Sequence, residues 1–362
     1  MKTPTYKSIY LYLTHDCDSW CSFCYRKGLY KRNNIKDLGD FYMSKETALK
    51  TLDFVFSKLQ LTSTFNIYFW GGEPFLNFEV MKTVIDCYPQ FHYHTNTNGK
   101  SITKEIYNYL DEHKNFRITW SLGNAYEKYG GIKQKVEAEY WAHKVISEND
   151  NSGANLMVTK YKNLVKDFEF VINNITPNIT IDLATRYNHT DEDLNKFAEQ
   201  YFCLMTKYMN KGDKYEALNP AFSNNLWHNE FGFKSLKKSW KFCRSGLERL
   251  FIDTMGGIWQ CDNMYICQHN KLGDIYTGID YSKLDLMWKI AENTDKYMSQ
   301  YCEGCECYGN CPRNKCLGLD LEHMRNMFRP EPAYCNMCKI IYRISKKYVE
   351  YEKQKRIGVR ND

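Results

Sequence analysis

Lys7-Ser-Ile-Tyr-Leu-Tyr-Leu13 runs through Thr14-His-Asp16 into Cys17-Asp-Ser-Trp-Cys21-Ser-Phe-Cys24. The first stretch alternates and is β-prone, so it predicts a strand that delivers the chain to a short cysteine loop. The three thiols are spaced C-x3-C-x2-C. Three thiolates on so short a loop can grip three corners of a cubane iron–sulfur cluster, which is ordinarily closed by four cysteines. The missing fourth ligand leaves one iron open, and an open metal position is where a substrate or cofactor binds. A structural zinc site instead pairs two C-x2-C knuckles, and no second knuckle lies near this loop.

Outward from the loop, strand and helix signals alternate. Ser44 is suited to cap a helix to residue 59, and Phe65-Asn-Ile-Tyr-Phe-Trp70 reads as a second strand. Further helices are expected over 78–88, 103–111, 132–148, 163–173 and 190–209, with strands over 90–96, 116–122, 154–159 and 179–184. Such alternation argues for parallel βαβ units in an open sheet or partly closed barrel. Chemistry in such folds gathers at the carboxyl ends of the strands. Four segments fall at those ends: Gly71-Gly-Glu-Pro74, Asn96-Thr-Asn-Gly99, Ser121-Leu-Gly-Asn124 and Met157-Val-Thr159. Paired glycines let backbone groups approach a ligand closely. Glu73 can accept a hydrogen bond from an ammonium group, although Gly-Gly-Glu-Pro alone would also serve as an ordinary turn. Cys87 and Cys203 fall within apolar helical patterns and are expected to be buried core thiols.

The 362 residues suffice for one large domain plus a smaller one. A net charge of +6 is too weak to argue for nucleic acid. No run approaches about eighteen apolar residues, so no membrane span is expected. The first ten residues carry no apolar signal segment, so a cytoplasmic location is expected. Fifteen cysteines in such a compartment are not a disulfide framework, because thiols there are kept reduced. Ten of them lie between Cys243 and Cys338, which points to metal sites at both ends of the chain.

The cysteine loop, followed by Gly-Gly-Glu-Pro after the second strand, resembles the radical S-adenosylmethionine (SAM) family. The resemblance implies an α/β fold: a partial (β/α)6 TIM-like barrel over 1–210, a connecting segment over 211–241, and a small cysteine-rich auxiliary iron–sulfur domain over 242–338. A basic C-terminal helix and tail over 339–362 would follow. It implies a 4Fe–4S cluster on Cys17, Cys21 and Cys24 whose open iron chelates the amino acid part of SAM. Gly71, Gly72 and Glu73 would then hold the SAM amino group. Asn98 lies in a segment that resembles the family's Thr-Asn-Gly. Ser121 would approach the ribose, Val158 the adenine through its backbone, and Phe23 the adenine through its ring. Relatives often carry Ser-x-Asp-Gly after the fourth strand, where this chain has Gly123 in the aspartate's place. The carboxylate contact is therefore either absent or supplied from elsewhere, with Asn124 as the candidate.

Cys243-x12-Gly256-x4-Cys261, then Cys302-x2-Cys305-x5-Cys311-x4-Cys316, then Cys335, resembles the SPASM extension of that family. It departs in one place, since four residues rather than three separate Cys311 from Cys316. The resemblance implies two auxiliary iron–sulfur clusters. Cys302, Cys305, Cys311 and Cys335 would hold one. Cys243, Cys261 and Cys316 would hold the other, with Cys267 or an open site in fourth place. Cys307 and Cys338 match nothing in the pattern. Asp262 follows Cys261 directly. In sulfatase-maturing relatives an aspartate there takes a proton from the substrate radical, and the alternative is a surface turn. The tail from Asn336 reads as a helix with Ile340, Ile341, Ile344 and Tyr348 on one stripe and a basic solvated face.

The family's chemistry implies reductive cleavage of SAM to a 5′-deoxyadenosyl radical that abstracts hydrogen from the substrate. SPASM relatives mostly modify peptides or proteins, so a peptide or protein substrate is expected, with a flavodoxin- or ferredoxin-type electron donor. The cysteine loop starts so early that a leader-bearing peptide would need a separate leader-binding protein or the barrel's own edge. Rival readings are a small-molecule or nucleotide substrate, sulfatase-type formylglycine formation, and a zinc-dependent nucleic-acid-binding module. The last leaves Gly-Gly-Glu-Pro without a role.

Overall fold

The computed structural model describes residues 3–24, 26, 40–159, 163–184, 189–209, 218, 244–265, 270–293, 300–307, 318, 324, 326, 329 and 331–358. Six parallel strands alternate with helices: β1 (Thr5–Thr14), α1 (Lys45–Lys58), β2 (Gln60–Gly71), α2 (Phe78–Cys87), β3 (His92–Thr97), α3 (Lys104–Glu112) and β4 (Phe116–Ser121). After β4 come α4 (Ala125–Lys128), α5 (Ile132–Ala138), α6 (Tyr140–Ser147), β5 (Gly153–Val158), α7 (Leu164–Asn174), β6 (Ile179–Leu183) and α8 (Asp191–Tyr208). Local chemistry fixes several boundaries. Ser44, Thr103 and Asn163 each accept a backbone N–H in the first turn of their helix, and Thr190 with Asp193 forms a capping box.

The later chain adds β7 (Arg249–Ile252), β8 (Gly257–Trp259), β9 (Lys271–Asp274), β10 (Gly278–Ile279), α9 (Tyr281–Glu292) and α10 (Pro332–Gly358). All the strands share one sheet in the order β10-β9-β8-β7-β1-β2-β3-β4-β5-β6. β7 pairs in parallel with β1, whereas β7 to β10 pair antiparallel with one another. α10 packs on α8. The expected stripe on this terminal helix is present: Ile341, Ile344 and Tyr348 are buried and Ile340 packs partly buried against them.

Alternation along each strand divides the sheet's two faces. Ile9, Leu11, Ile67, Phe69, Ile118 and Leu156 join the apolar faces of the helices in one core. The other face carries the residues between them. Tyr10, Tyr68 and His94 are in register across β1, β2 and β3. Their rings stack at 4.5 Å and 4.7 Å. Farther along, Asn155 on β5 donates to Asp182 on β6 at 2.7 Å. Closed parallel barrels fill this side with Val, Ile and Leu; here it is aromatic and polar.

Two expectations differ from the structure. The run 132–148 is two helices, because the backbone of Glu139 leaves the helical region (φ −108°, ψ 51°) and ends α5 before α6 begins. Cys87 and Cys203 are exposed. The buried positions of α8 are Leu194, Phe197, Tyr201, Leu204, Met205 and Tyr208, and Cys203 falls on the opposite side. Cys87 is the last residue of α2, beyond its buried Val84 and Ile85. Among the described residues no helix is long and apolar enough to cross a membrane.

Candidate active site

β1 releases the chain into the cysteine loop, where Trp20 adopts φ 47°, uncommon for a residue with a side chain. Cys17, Cys21 and Cys24 are all half-buried, and the Cys24 N–H donates to the Cys21 carbonyl at 3.1 Å. Burial pushes the Cys17 thiol up. At Cys21 burial acts first, and the charges of Cys24, Glu127 and Cys17 then help push it up to about 12. The Cys17 and Cys24 sulfurs therefore lie near enough to Cys21 to oppose its ionisation. Cationic irons would relieve that opposition, so the donor set fits an iron–sulfur cluster. Among the described residues no three His, Cys, Asp or Glu side chains converge tightly enough for a single metal ion. Thiolates of a cubane each take a separate iron and need no such convergence.

The end of β2 grips the loop's entry. Gly71 has φ 142°, and a Cβ there would stand 2.5 Å from the Thr14 carbonyl oxygen. A Cβ at Gly72 would stand 1.8 Å from the Asp16 carbonyl oxygen. Gly72 N–H donates to Thr14 O and Glu73 N–H to Asp16 O, both at 2.9 Å. The glycines are thus required by backbone approach to the chain that enters the cysteine loop. At the loop's far side the buried Arg26 donates to the His15 carbonyl at 2.6 Å.

Glu73 is 1% exposed. Its Oε1 accepts from Thr97 Oγ1 at 2.7 Å and Phe75 N–H at 3.2 Å, and its Oε2 accepts from Asn98 N–H at 2.8 Å. Burial nevertheless pushes the carboxyl up to about 7, with those donors opposing. Asn98 Nδ2 donates to Asp18 Oδ1 at 2.7 Å and lies 4.0 Å from Cys17 Sγ. Behind Asn98 lies a buried ion pair. Lys135 Nζ donates to the Asn98 carbonyl at 2.7 Å and to Glu139 Oε1 at 2.9 Å. The Trp120 indole donates to the same carbonyl and to Glu139 Oε2, each at 3.0 Å. Burial lowers the Lys135 pKa, and the charge of Glu139 opposes it.

The β4 end meets the loop as well. A Cβ on Gly123 would stand 2.8 Å from Met157 Cβ and 3.1 Å from Phe23 Cζ, so an aspartate has no room there. Asn124 is buried, and its Oδ1 has no hydrogen-bond partner among the described residues. A buried acceptor of this kind suits a ligand hydroxyl. Ser121 is half-buried at the end of β4, and the Val158 carbonyl at the end of β5 accepts from Ala184 N–H at 2.8 Å.

Asp262 opens a short 3-10 turn after Cys261. Trp70 Nε1, just ahead of Gly71, donates to Asp262 Oδ2 at 3.2 Å, and Asn263 N–H donates to Oδ1 at 3.0 Å. The carboxylate also helps raise the Tyr10 and Tyr12 hydroxyls, after burial, so it stands near the polar sheet face. Cys243, Cys267, Cys311 and Cys316 lie outside the described residues. Cys261, Cys302, Cys305 and Cys335 are half-buried, and Cys307 and Cys338 are buried. Cys305 N–H donates to the Cys302 carbonyl at 3.0 Å, closing a tight turn.

Sequence reasoning missed Asp16, Asp18, Thr97, Glu127 and Lys135. Asp16 and Asp18 flank Cys17, and short acids in a loop commonly accept local N–H groups, so position alone could have marked them. Thr97 and Glu127 act across long separations that leave no local signal, while Lys135 also pairs with Glu139 four residues on, a spacing the sequence does carry.

A family model described as a 4Fe-4S single cluster domain matches residues 7–112. The radical SAM cyclopropyl synthase TigE of Paramaledivibacter caminithermalis is 26% identical, over 96% of this chain and 75% of its own length. Native anSMEcpe, solved with bound AdoMet and a Cp18Cys peptide, superposes with a TM-score of 0.66 at 15% identity, covering 96% of this chain and 99% of that one. Streptococcus suis SuiB bound to precursor peptide SuiA gives 0.60 at 16% identity, covering 91% and 76%. The mixed α/β fold with its parallel core is therefore shared with both structures. The chain is thus similar over almost its whole length to a radical SAM cyclopropyl synthase, and the match to a 4Fe-4S single cluster domain takes in the cysteine loop.

Proposed function

We propose that this enzyme modifies a side chain of a peptide or protein by hydrogen abstraction. One observation carries the reading: a half-buried three-thiol loop packs against Gly-Gly-Glu beside a sheet face lined by aromatic and polar groups. TigE is named a cyclopropyl synthase, and SuiB is solved with a precursor peptide, which supports a peptide substrate. Cys17, Cys21 and Cys24 would hold a cluster with SAM on its open iron, which would supply a 5′-deoxyadenosyl radical given an electron from a flavodoxin- or ferredoxin-type donor.

The chain's own residues do the rest. Gly71, Gly72 and Glu73 bind the amino group of SAM, and Asn98 fixes the loop beside it. Ser121 and the unpartnered Asn124 Oδ1 accept from the ribose hydroxyls, while Phe23 and Val158 border the adenine. The Tyr10, Tyr68 and His94 row lines the chamber for substrate and excludes water. Asp262 receives the proton released from a substrate heteroatom when its neighbouring carbon loses hydrogen. Trp70 and the Asn263 N–H each hold one of its oxygens, which fixes its aim. Cys302, Cys305, Cys311 and Cys335 would hold one auxiliary cluster, which would supply a sink for the leftover electron. Cys243, Cys261 and Cys316 would hold a second, with Cys267 or an open site in fourth place. The core over 1–210 binds SAM, 211–241 connects it, and 242–338 houses the auxiliary clusters.

Anaerobic reconstitution tests this. A brown protein with about twelve irons is expected, forming 5′-deoxyadenosine from SAM and changing the mass of a peptide encoded beside its gene. A colourless zinc protein, or SAM cleavage stimulated by a small metabolite and by no peptide, defeats the reading.

A further inference from the structure

We infer that Glu127 is a positioning residue that clamps the cluster loop to the segment after β4. Glu127 lies on α4 and reaches a residue 105 positions earlier in the chain. Both of its carboxylate oxygens accept from the Ser22 N–H, at 3.1 Å and 3.0 Å, and Oε2 also accepts from the Ser22 hydroxyl at 2.9 Å. Ser22 sits between Cys21 and Cys24, at the head of the turn closed by the Cys24 N–H on the Cys21 carbonyl. Fixing the Ser22 amide plane fixes the peptide that follows Cys21, and with it the start of that turn.

Two neighbouring contacts run the same way. Phe23 packs so closely on Gly123 that no side chain fits between them. Asn124 Nδ2 points at Ser19 Oγ from 3.5 Å. Ser19, Ser22 and Phe23 are thus met by 124, 127 and 123, one short stretch beyond β4. Asp16 and Asp18 tie down the Cys17 side through Tyr42, Ser101 and Asn98. Glu127 ties down the Cys21 and Cys24 side. A carboxylate suits the task, because hydrogen bonds to an ionised acceptor are roughly twice as strong as neutral ones. The partial exposure of Glu127, 31% for its side chain, keeps the ion solvated while it holds the loop.

The inference rests on a cluster at Cys17, Cys21 and Cys24, so the experiment asks for that cluster separately. The full chain is reconstituted anaerobically and reduced. The unaltered protein should show an electron paramagnetic resonance signal that changes on adding SAM and is missing in Cys21→Ala. Under a constant excess of EDTA, Glu127→Ala should lose this SAM-sensitive signal about tenfold faster than the unaltered protein. Signals insensitive to SAM should decay unchanged. Glu127→Gln keeps an acceptor for Ser22 but loses the charge, and Ser22→Ala keeps the N–H but loses the hydroxyl, so both should fall between the unaltered protein and Glu127→Ala. Equal decay of Glu127→Ala and the unaltered protein overturns the clamp, as does a Glu127→Gln that decays as fast as Glu127→Ala. No SAM-sensitive signal in the unaltered protein overturns the cluster assignment instead.

Discussion

Glu73 meets three donors, yet burial dominates and its carboxyl is pushed up from 4.5 to about 7. A carboxyl raised on folding binds its proton more tightly in the native state. Its stabilising contribution is complete below pH 4.5 and is lost as pH rises through 7. The cluster-free protein should therefore lose stability across that window, and Glu73→Gln should flatten the slope, as read from urea midpoints at several pH values. Gly123 makes a second test. The family pattern that the sequence resembles has an aspartate there, but here a Cβ would press on Met157 and Phe23. Gly123→Asp should cost about 1–3 kcal/mol in urea unfolding and leave SAM affinity no tighter, measured by calorimetry.

The break between α5 and α6 is made at Glu139, whose side chain is held by Lys135, Trp120 and Tyr129. Removing one member of a buried ion pair strands the other. Lys135→Met should destabilise the fold by about 3–5 kcal/mol, and adding Glu139→Gln should recover most of that in a double-mutant cycle. This contact also marks what the sequence could convey. Ser44, Thr103 and Thr190 announce helix starts through local chemistry, and strand periodicity announces β1 to β6. Trp120, nineteen positions before the break, donates to the Glu139 carboxylate, and no local pattern encodes that contact. The cysteine loop and Gly-Gly-Glu were legible because their spacing is itself the signal. Glu127 was not, since its partner Ser22 is fixed only by the folded chain. Cys203 was misread because an apolar helical run does not reveal which side faces the core.

At the scale of the molecule, Trp70 and Asp262 meet across 192 positions, from β2 to the segment after β8. The sheet's aromatic face and the cysteine-rich half therefore share a boundary at this hydrogen bond. Asp262→Asn keeps the shape and would remove the proposed base. It should retain 5′-deoxyadenosine formation while modified peptide falls by about a hundredfold or more, the two products being counted together by mass spectrometry. Loss of both would make Asp262 a support of the fold.

β7 lies beside β1 from Ser8 opposite Arg249 to Leu11 opposite Ile252. The early and late parts of the gene product are thus stitched edge to edge by main-chain bonds, whatever joins them in sequence. Severed at an engineered protease site between 219 and 241, the two pieces should elute from a native column as a single particle and part only in denaturant. Expressed from separate genes, the halves should find each other and reassemble.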